Sequence, residues 1–151
     1  MLQPWIENAE RVAGYHAVGG EIDPTRVLRR VMERGCSAAS PAFERADGPM
    51  IFRTGRVAQT GPHGIVQPPH QAKVIIPDLV LVPLLAVDLH GTRLGQGGGH
   101  YDRALPALRE AGATIIGVGW AMQLVEDDLP ADQWDVPLDG FVSPEGMTMW
   151  R

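Results

Sequence analysis

The chain contains one cysteine, Cys36, and one lysine, Lys73. A lone cysteine excludes an internal disulfide and argues against a thiolate metal site, and it fits a reducing compartment. Free cysteine commonly packs as a small hydrophobe, so Cys36 reads as a core residue with a nucleophilic role as the alternative. No apolar run is long enough to cross a bilayer, because the longest, Leu79–Val87, is interrupted by Pro83. The opening MLQPWIENAERVAGYH has no basic segment leading into an apolar stretch, so no secretory signal is expected and the cytoplasm is the expected compartment. The formal net charge of −5 argues against a nucleic-acid partner held through its phosphates. Neither membrane nor nucleic acid is therefore an expected partner.

With 151 residues, 44% of them hydrophobic and 21% charged, the chain has the composition of one globular domain able to bury its own core. A helix is expected in EIDPTRVLRRVMERGC. Asp23 is a good N-cap acceptor, Pro24 suits the first helical position, and Gly35 suits a left-handed cap. Val27, Leu28, Val31 and Met32 fall on one face of it, with Arg26, Arg29, Arg30 and Glu33 facing water. Strand-like segments precede and follow at Arg11–His16 and Cys36–Phe43, and Pro49–Arg53 is extended in character. Residues Thr54–Lys73 lack periodicity and read as a loop long enough to be functional. The run Asp78–Pro83 (DLVLVP) has the pattern of a strand buried on both faces. A helix over Tyr101–Ala111 closed by Gly112 should start late or kink, because Pro106 lies inside it. Strands are expected again at Thr114–Trp120 and Gly140–Ser143. Strands alternating with helices imply an α/β fold, a mostly parallel sheet with helices on both faces.

The stretch RLGQGGGHYDR, Arg93–Arg103, carries the clearest chemistry. Glycines let backbone amides approach an anion, and a helix N-terminus adds free N–H groups and a positive dipole. Its spacing matches neither the dinucleotide fingerprint nor the P-loop, so spacing alone leaves phosphate binding and a connecting turn open. The flanks add charge: Arg93 can pair with phosphate oxygens, and a carboxylate at Asp102 beside phosphate calls for Mg²⁺, with helix capping as the other reading. A second acidic group, Glu126–Asp128 with Asp132, Asp135 and Asp139, offers a further ligand or a solvated face. His16, His63, His70, His90 and His100 show no paired metal spacing, and only His100 stands in the candidate site. Trp120, Trp134 and Trp150 can pack or stack on a flat ligand, and Met50 with Phe52 reads as core or as a pocket wall.

The segment PDLVLVPLLAVDLHGTRLGQGGGHYDRAL resembles the signature of the 5-formyltetrahydrofolate cyclo-ligases, also called methenyltetrahydrofolate synthetases, which read VP-x-LAFD-x-x-G-x-RLG-x-G-x-G-YYD there. The resemblance continues through VAGYHAVGGEIDP, PMIFR, HGIVQPP, IIGVGWAMQLVEDDLP and DQWDVPLDGFVSPEG, from about Arg11 to Gly146. It implies a Rossmann-like α/β sheet of the NagB/RpiA/CoA-transferase-like kind. It further implies ATP- and Mg²⁺-dependent cyclisation of 5-formyltetrahydrofolate to 5,10-methenyltetrahydrofolate, within one-carbon metabolism. ATP turns the formyl oxygen into a leaving group, N10 attacks the formyl carbon, and phosphate departs as the ring closes, a task of positioning and electrostatics.

Carried over by matching positions, Arg93, Gly95, Gln96, Gly97, Gly98 and Gly99 would cradle the ATP phosphates, with Tyr101 and Asp102 beside them. Asp102 and Asp135 would hold Mg²⁺. Glu21 would contact the pterin, Met50, Phe52 and Tyr101 would line the reduced-folate pocket, and Arg93, His100 and Tyr101 would stand at the reacting atoms. Family members usually begin with an additional helix bearing Lys and Arg; before Arg11 this chain has no lysine, and that helix is expected to be missing. His100 stands where the family has its first signature tyrosine, Gln67 replaces a Glu, and Trp134 replaces a His. These departures keep open a second reading, a folate- or nucleotide-binding homologue without cyclo-ligase activity. A monomer or small homo-oligomer is expected.

Overall fold

The apolar run before the glycines is the centre of the protein. In a computed structural model, which describes residues 7–55, 59–95, 99–133 and 135–150, Leu79–Pro83 forms a strand with every residue buried. In chain order the elements are β1 (Arg11–Ala13), α1 (Thr25–Glu33), β2 (Ser37–Ala42), β3 (Ile51–Thr54), β4 (Gln59–Thr60), β5 (Val66–Gln67), β6 (Val74–Ile75), β7 (Leu79–Pro83), β8 (Ala86–Val87), β9 (Arg93–Leu94), α2 (His100–Glu110), β10 (Thr114–Val118), a 3-10 turn (Ala121–Gln123), β11 (Gly140–Ser143) and β12 (Gly146–Met149).

The main sheet has the order β12-β11-β10-β7-β1-β2-β3-β6. Its five central strands, β11 to β2, run parallel, and the outer pairings β11–β12, β2–β3 and β3–β6 are antiparallel. From β1 the chain returns through α1 to β2, on one side; from β7 it returns through α2 to β10, on the other. The winding direction therefore reverses between β1 and β7. In open α/β sheets that reversal leaves a crevice at the carboxyl ends of the strands.

Alternation along β7 sorts the core into two layers. Val80 and Val82 join Ala13, Ile115 and Phe141 beneath Leu105 and Leu108 of α2. Leu79 and Leu81 join Val12, Ile116, Val118 and Val142 beneath Val31 of α1. The helices thus cover opposite faces, as the α/β reading expected, and each fully buried aliphatic side chain contributes about 1.5–3 kcal/mol.

Several elements differ in detail from the sequence reading. Asp23 is not the N-cap: Pro24 occupies that position with no side-chain cap bond, the helix starts at Thr25, and Asp23 lies one residue further out, its Oδ1 accepting from Thr25 N at 2.9 Å. Met32 is 60% exposed rather than core-facing, because the buried stripe is centred on Val31 with Val27 and Leu28 at its margin. α2 begins at His100 and runs through Pro106, which is exposed, so the carbonyl that loses its helical N–H partner stands on the solvent side. Within residues 54–73, β4 and β5 form a two-residue antiparallel ladder, too short to leave a periodic signal. The β8–β9 ladder and β12 also escaped the sequence reading.

Asp139 separates from the other acids as a structural residue. Its Oδ2 accepts from Ile115 N of β10 at 2.8 Å and from Arg109 Nη2 of α2 at 3.2 Å. It therefore ties the start of β10, the end of α2 and the approach to β11 together. Replacing Asp139 with Ala leaves a part-buried N–H and a guanidinium without this acceptor, and should lower unfolding free energy by about 1–3 kcal/mol. A urea midpoint unchanged from wild type would contradict this.

Candidate active site

The crevice at the reversal is a cavity of about 750 Å³. From the end of β1 it takes Tyr15, His16 and the following turn, Val18 to Glu21; from the end of β7 it takes Pro83. The short β9 and the first turn of α2 supply Arg93, Gly95, Gly99, His100, Tyr101 and Asp102. Met50 and Asp135 complete the set of expected residues that reach it.

Arg93 is placed by the turn that precedes it. Asp88 is 1% exposed, and its Oδ1 accepts from His90 N and Thr92 N, both at 2.9 Å, while Oδ2 accepts from Leu129 N at 2.9 Å. Burial opposes ionisation of this carboxyl, but the three backbone donors outweigh it and hold it below the usual Asp range. The turn so fixed pairs Arg93 with Val87 and sends its side chain inward, where Nε donates to Pro83 O at 2.9 Å. The side chain is only 8% exposed, Cζ lies 5.1 Å from the Tyr101 ring centroid, and Nη1 is 3.6 Å from Asp102 Oδ1. Burial pushes the guanidinium down, against the pull of Tyr101, Asp102 and Glu21. It remains a cation, since arginine titrates far above neutrality.

Tyr101 Oη is buried and has no hydrogen-bond partner among the described residues. Burial, with a smaller contribution from Glu21, raises the phenol above its usual range although Arg93 opposes the shift, so the group is neutral with a hydrogen to donate. Glu21 accepts from Val18 N at 2.9 Å through Oε1, which folds the carboxylate back over its own turn.

His100 lies in an aromatic trio: its ring centroid is 4.7 Å from Phe43 and 4.5 Å from His63, and those two are 4.6 Å apart. Arg103 Nη2 stands 3.1 Å from His100 Nδ1. Burial first, then His63 and Arg103, lower the His100 pKa, so the imidazole is neutral near pH 7. The preceding Gly99 has φ +72°, a left-handed conformation that a side chain would strain, and this bends the loop into α2.

Not every expected residue reaches the cavity. Phe52 is 4% exposed within the core and Met50 packs against the same cluster, so Met50 alone of the pair forms wall. Gln96, Gly97, Gly98 and Trp134 lie outside the described residues. Among the described residues no three His, Cys, Asp or Glu side chains converge as a metal-binding group. Asp102 and Asp135 nevertheless both face the cavity, and Asp135 Oδ2 is held by Asp132 N at 2.8 Å. Two carboxylates fit a Mg²⁺ that keeps waters and takes its other oxygens from phosphate. Cys36 packs against the core and donates Sγ–H to Ala9 O at 3.1 Å, away from this cavity.

Residues 1–144 match the sequence profile of the 5-formyltetrahydrofolate cyclo-ligase family. The chain belongs to this family. Similar cyclo-ligases include that of Haemophilus influenzae, 39% identical over 86% of this chain and 73% of that protein. The one from Escherichia coli is 28% identical over 99% of this chain and 86% of that protein. The solved structure of the Aquifex aeolicus 5,10-methenyltetrahydrofolate synthetase has a TM-score of 0.78 at 28% identity, over 97% of this chain and 74% of that one. The profile match starts at residue 1, upstream of Arg11, where the signature motifs begin.

Two residues take structural roles that the sequence did not reveal. Gln67 is buried, and its amide both accepts from Phe43 N and donates to Phe43 O at 3.0 Å. A carboxylate would meet the Phe43 carbonyl with a lone pair, which gives the departure from the family's Glu a physical reason. Asp88 was legible as the Asp of an Asp-x-x-Gly turn, a common local cap, but its burial was not. Asp88→Asn should lose the Leu129 anchor and cost about 1–3 kcal/mol. Because its folded pKa is lowered, the Asp88 contribution is complete above the ordinary value of about 3.9 and is lost as pH falls through the folded value. Urea unfolding across pH 2.5–7 should therefore show a wild-type loss at low pH that shrinks in Asp88→Asn; parallel profiles would contradict it.

Proposed function

We propose that this chain converts 5-formyltetrahydrofolate to 5,10-methenyltetrahydrofolate with ATP and Mg²⁺, in the cytoplasm. The observation that carries this reading is a buried guanidinium beside a buried phenol that has no partner among the described residues, both lining a cavity at the sheet's reversal point. A desolvated cation with one close neutral acceptor and a distant carboxylate is stabilised by an arriving anion. ATP supplies the activation, since its γ-phosphoryl group makes the formyl oxygen a leaving group.

The chain's own residues divide the remaining work. Arg93, held by Pro83 O, would offer its Nη donors to phosphoryl oxygens, with Gly95 and Gly99 beside it in the cavity wall. Asp102 and Asp135, which both line the cavity, would hold Mg²⁺. Tyr101 Oη donates a hydrogen bond inside the cavity without titrating, because its pKa lies above the usual tyrosine range. Glu21 accepts from pterin N–H groups, and Met50 forms an apolar wall for the ring. His100, neutral and packed between Phe43 and His63, shields this end of the cavity. The substitution at His100 also favours a second reading, a binder of folate or nucleotide that does not turn over.

An absorbance assay for the methenyl product, with 5-formyltetrahydrofolate, ATP and Mg²⁺, decides between them. Turnover is expected, with Arg93→Ala lowering kcat/KM by about 10²–10³-fold, the scale of one preorganised donor to developing charge. Asp102→Ala should abolish the Mg²⁺ dependence of ATP binding. Absence of product from wild type that still binds folate by calorimetry would overturn catalysis and leave the binder.

A further inference from the structure

We propose that Trp120 is a positioning residue, a latch that sets the turn bearing Glu21 over the cavity; this rests on the folate reading above. The turn is largely closed on itself. Glu21 N donates to Val18 O at 3.3 Å, Val18 N donates to Glu21 Oε1 at 2.9 Å, and Gly19 has φ +60°. Val18, Gly19, Gly20 and Glu21 all line the cavity, but a self-closed turn does not fix its own height above the sheet.

Its tie to the opposite wall comes from far along the chain. Trp120 Nε1 donates to Gly20 O at 2.8 Å, across 100 positions of sequence. Trp120 is itself clamped: its backbone N donates to Gln123 Oε1 at 2.6 Å, and Gln123 N donates to Trp120 O at 2.9 Å. Gln123 Nε2 then donates to Leu84 O at 2.7 Å and to Leu85 O at 3.2 Å, the residues directly after β7. A continuous set of hydrogen bonds thus runs from the end of β7, beside the Pro83 carbonyl that holds Arg93, through Gln123 and Trp120 to the residue preceding Glu21.

Trp120 is 46% exposed and does not line the cavity, so neither core packing nor stacking on a ligand accounts for its place. What it provides is one directed donor. The geometry assigns it a task on the folate side alone: holding the Gly20 carbonyl, and hence Glu21, at the distance a pterin needs. The phosphate side, fixed by Asp88 and Pro83, does not depend on it.

Trp120→Phe keeps most of the ring and removes the donor. Loss of one hydrogen bond that orders a ligand-bearing turn should raise KM and calorimetric Kd for 5-formyltetrahydrofolate by about five- to twentyfold. The kcat and the KM for ATP should stay at wild-type values. Gln123→Glu, which turns a carboxylate toward the Leu84 and Leu85 carbonyls, should act in the same direction. In ¹⁵N spectra, the indole N–H missing from Trp120→Phe should be protected from solvent exchange in wild type and lose protection in Gln123→Glu. Unchanged folate affinity in Trp120→Phe, an equal loss for ATP, or an unprotected indole N–H would each overturn the latch. If wild type binds no 5-formyltetrahydrofolate, the folate reading fails, and the indole exchange then decides the latch by itself.

Discussion

The hydrogen bond from Arg93 Nε to the Pro83 carbonyl joins the fully buried strand β7 to the segment that brings Arg93 into the cavity. It draws a guanidinium into a place where burial disfavours its charge. That costs free energy which the fold recovers through the core on both faces of β7, and which an anionic ligand would further offset. The arrangement holds only if the connecting turn is rigid, and Asp88 supplies that rigidity with three backbone hydrogen bonds.

From this link the site divides into two walls. One is built on β9 and α2, with Arg93, Tyr101 and Asp102 in fixed relation. The other is the turn after β1, where Glu21 is folded back on Val18. Gln67 and the Phe43–His63–His100 trio close one end, and they join residues from β2, the β4–β5 ladder and α2. A cyclo-ligase must hold two different substrates in one line, and two walls positioned from separate strand ends allow each to be bound by its own chemistry.

Much of this is legible in the sequence. The alternation of apolar runs and helical stripes pointed to a parallel sheet with helices on both faces, because periodicity reports which side of an element is buried. Arg93 and Asp102 stood out because they flank the glycines with opposite charges, although helix capping was an equally local reading of Asp102. Periodicity put Met32 on the core-facing stripe, but the stripe is centred on Val31. Phe52, read as core or pocket wall, packs in the core, and Asp139, read as a ligand or a solvated acid, is held by Ile115 N and Arg109. Short ladders such as β4–β5 and β8–β9 leave no periodic trace, since two residues cannot establish a period.

The sequence by itself determined the fold class and the family and singled out Arg93 and Asp102 as candidates, all of which depend on local order and composition. Only the tertiary structure decided which of these residues share a cavity. The bond from Trp120 to Gly20 spans 100 positions, and the Asp88 carboxylate reaches Leu129 across 41. Contacts of that kind depend on how the sheet brings distant turns together, and no stretch of neighbouring residues encodes them.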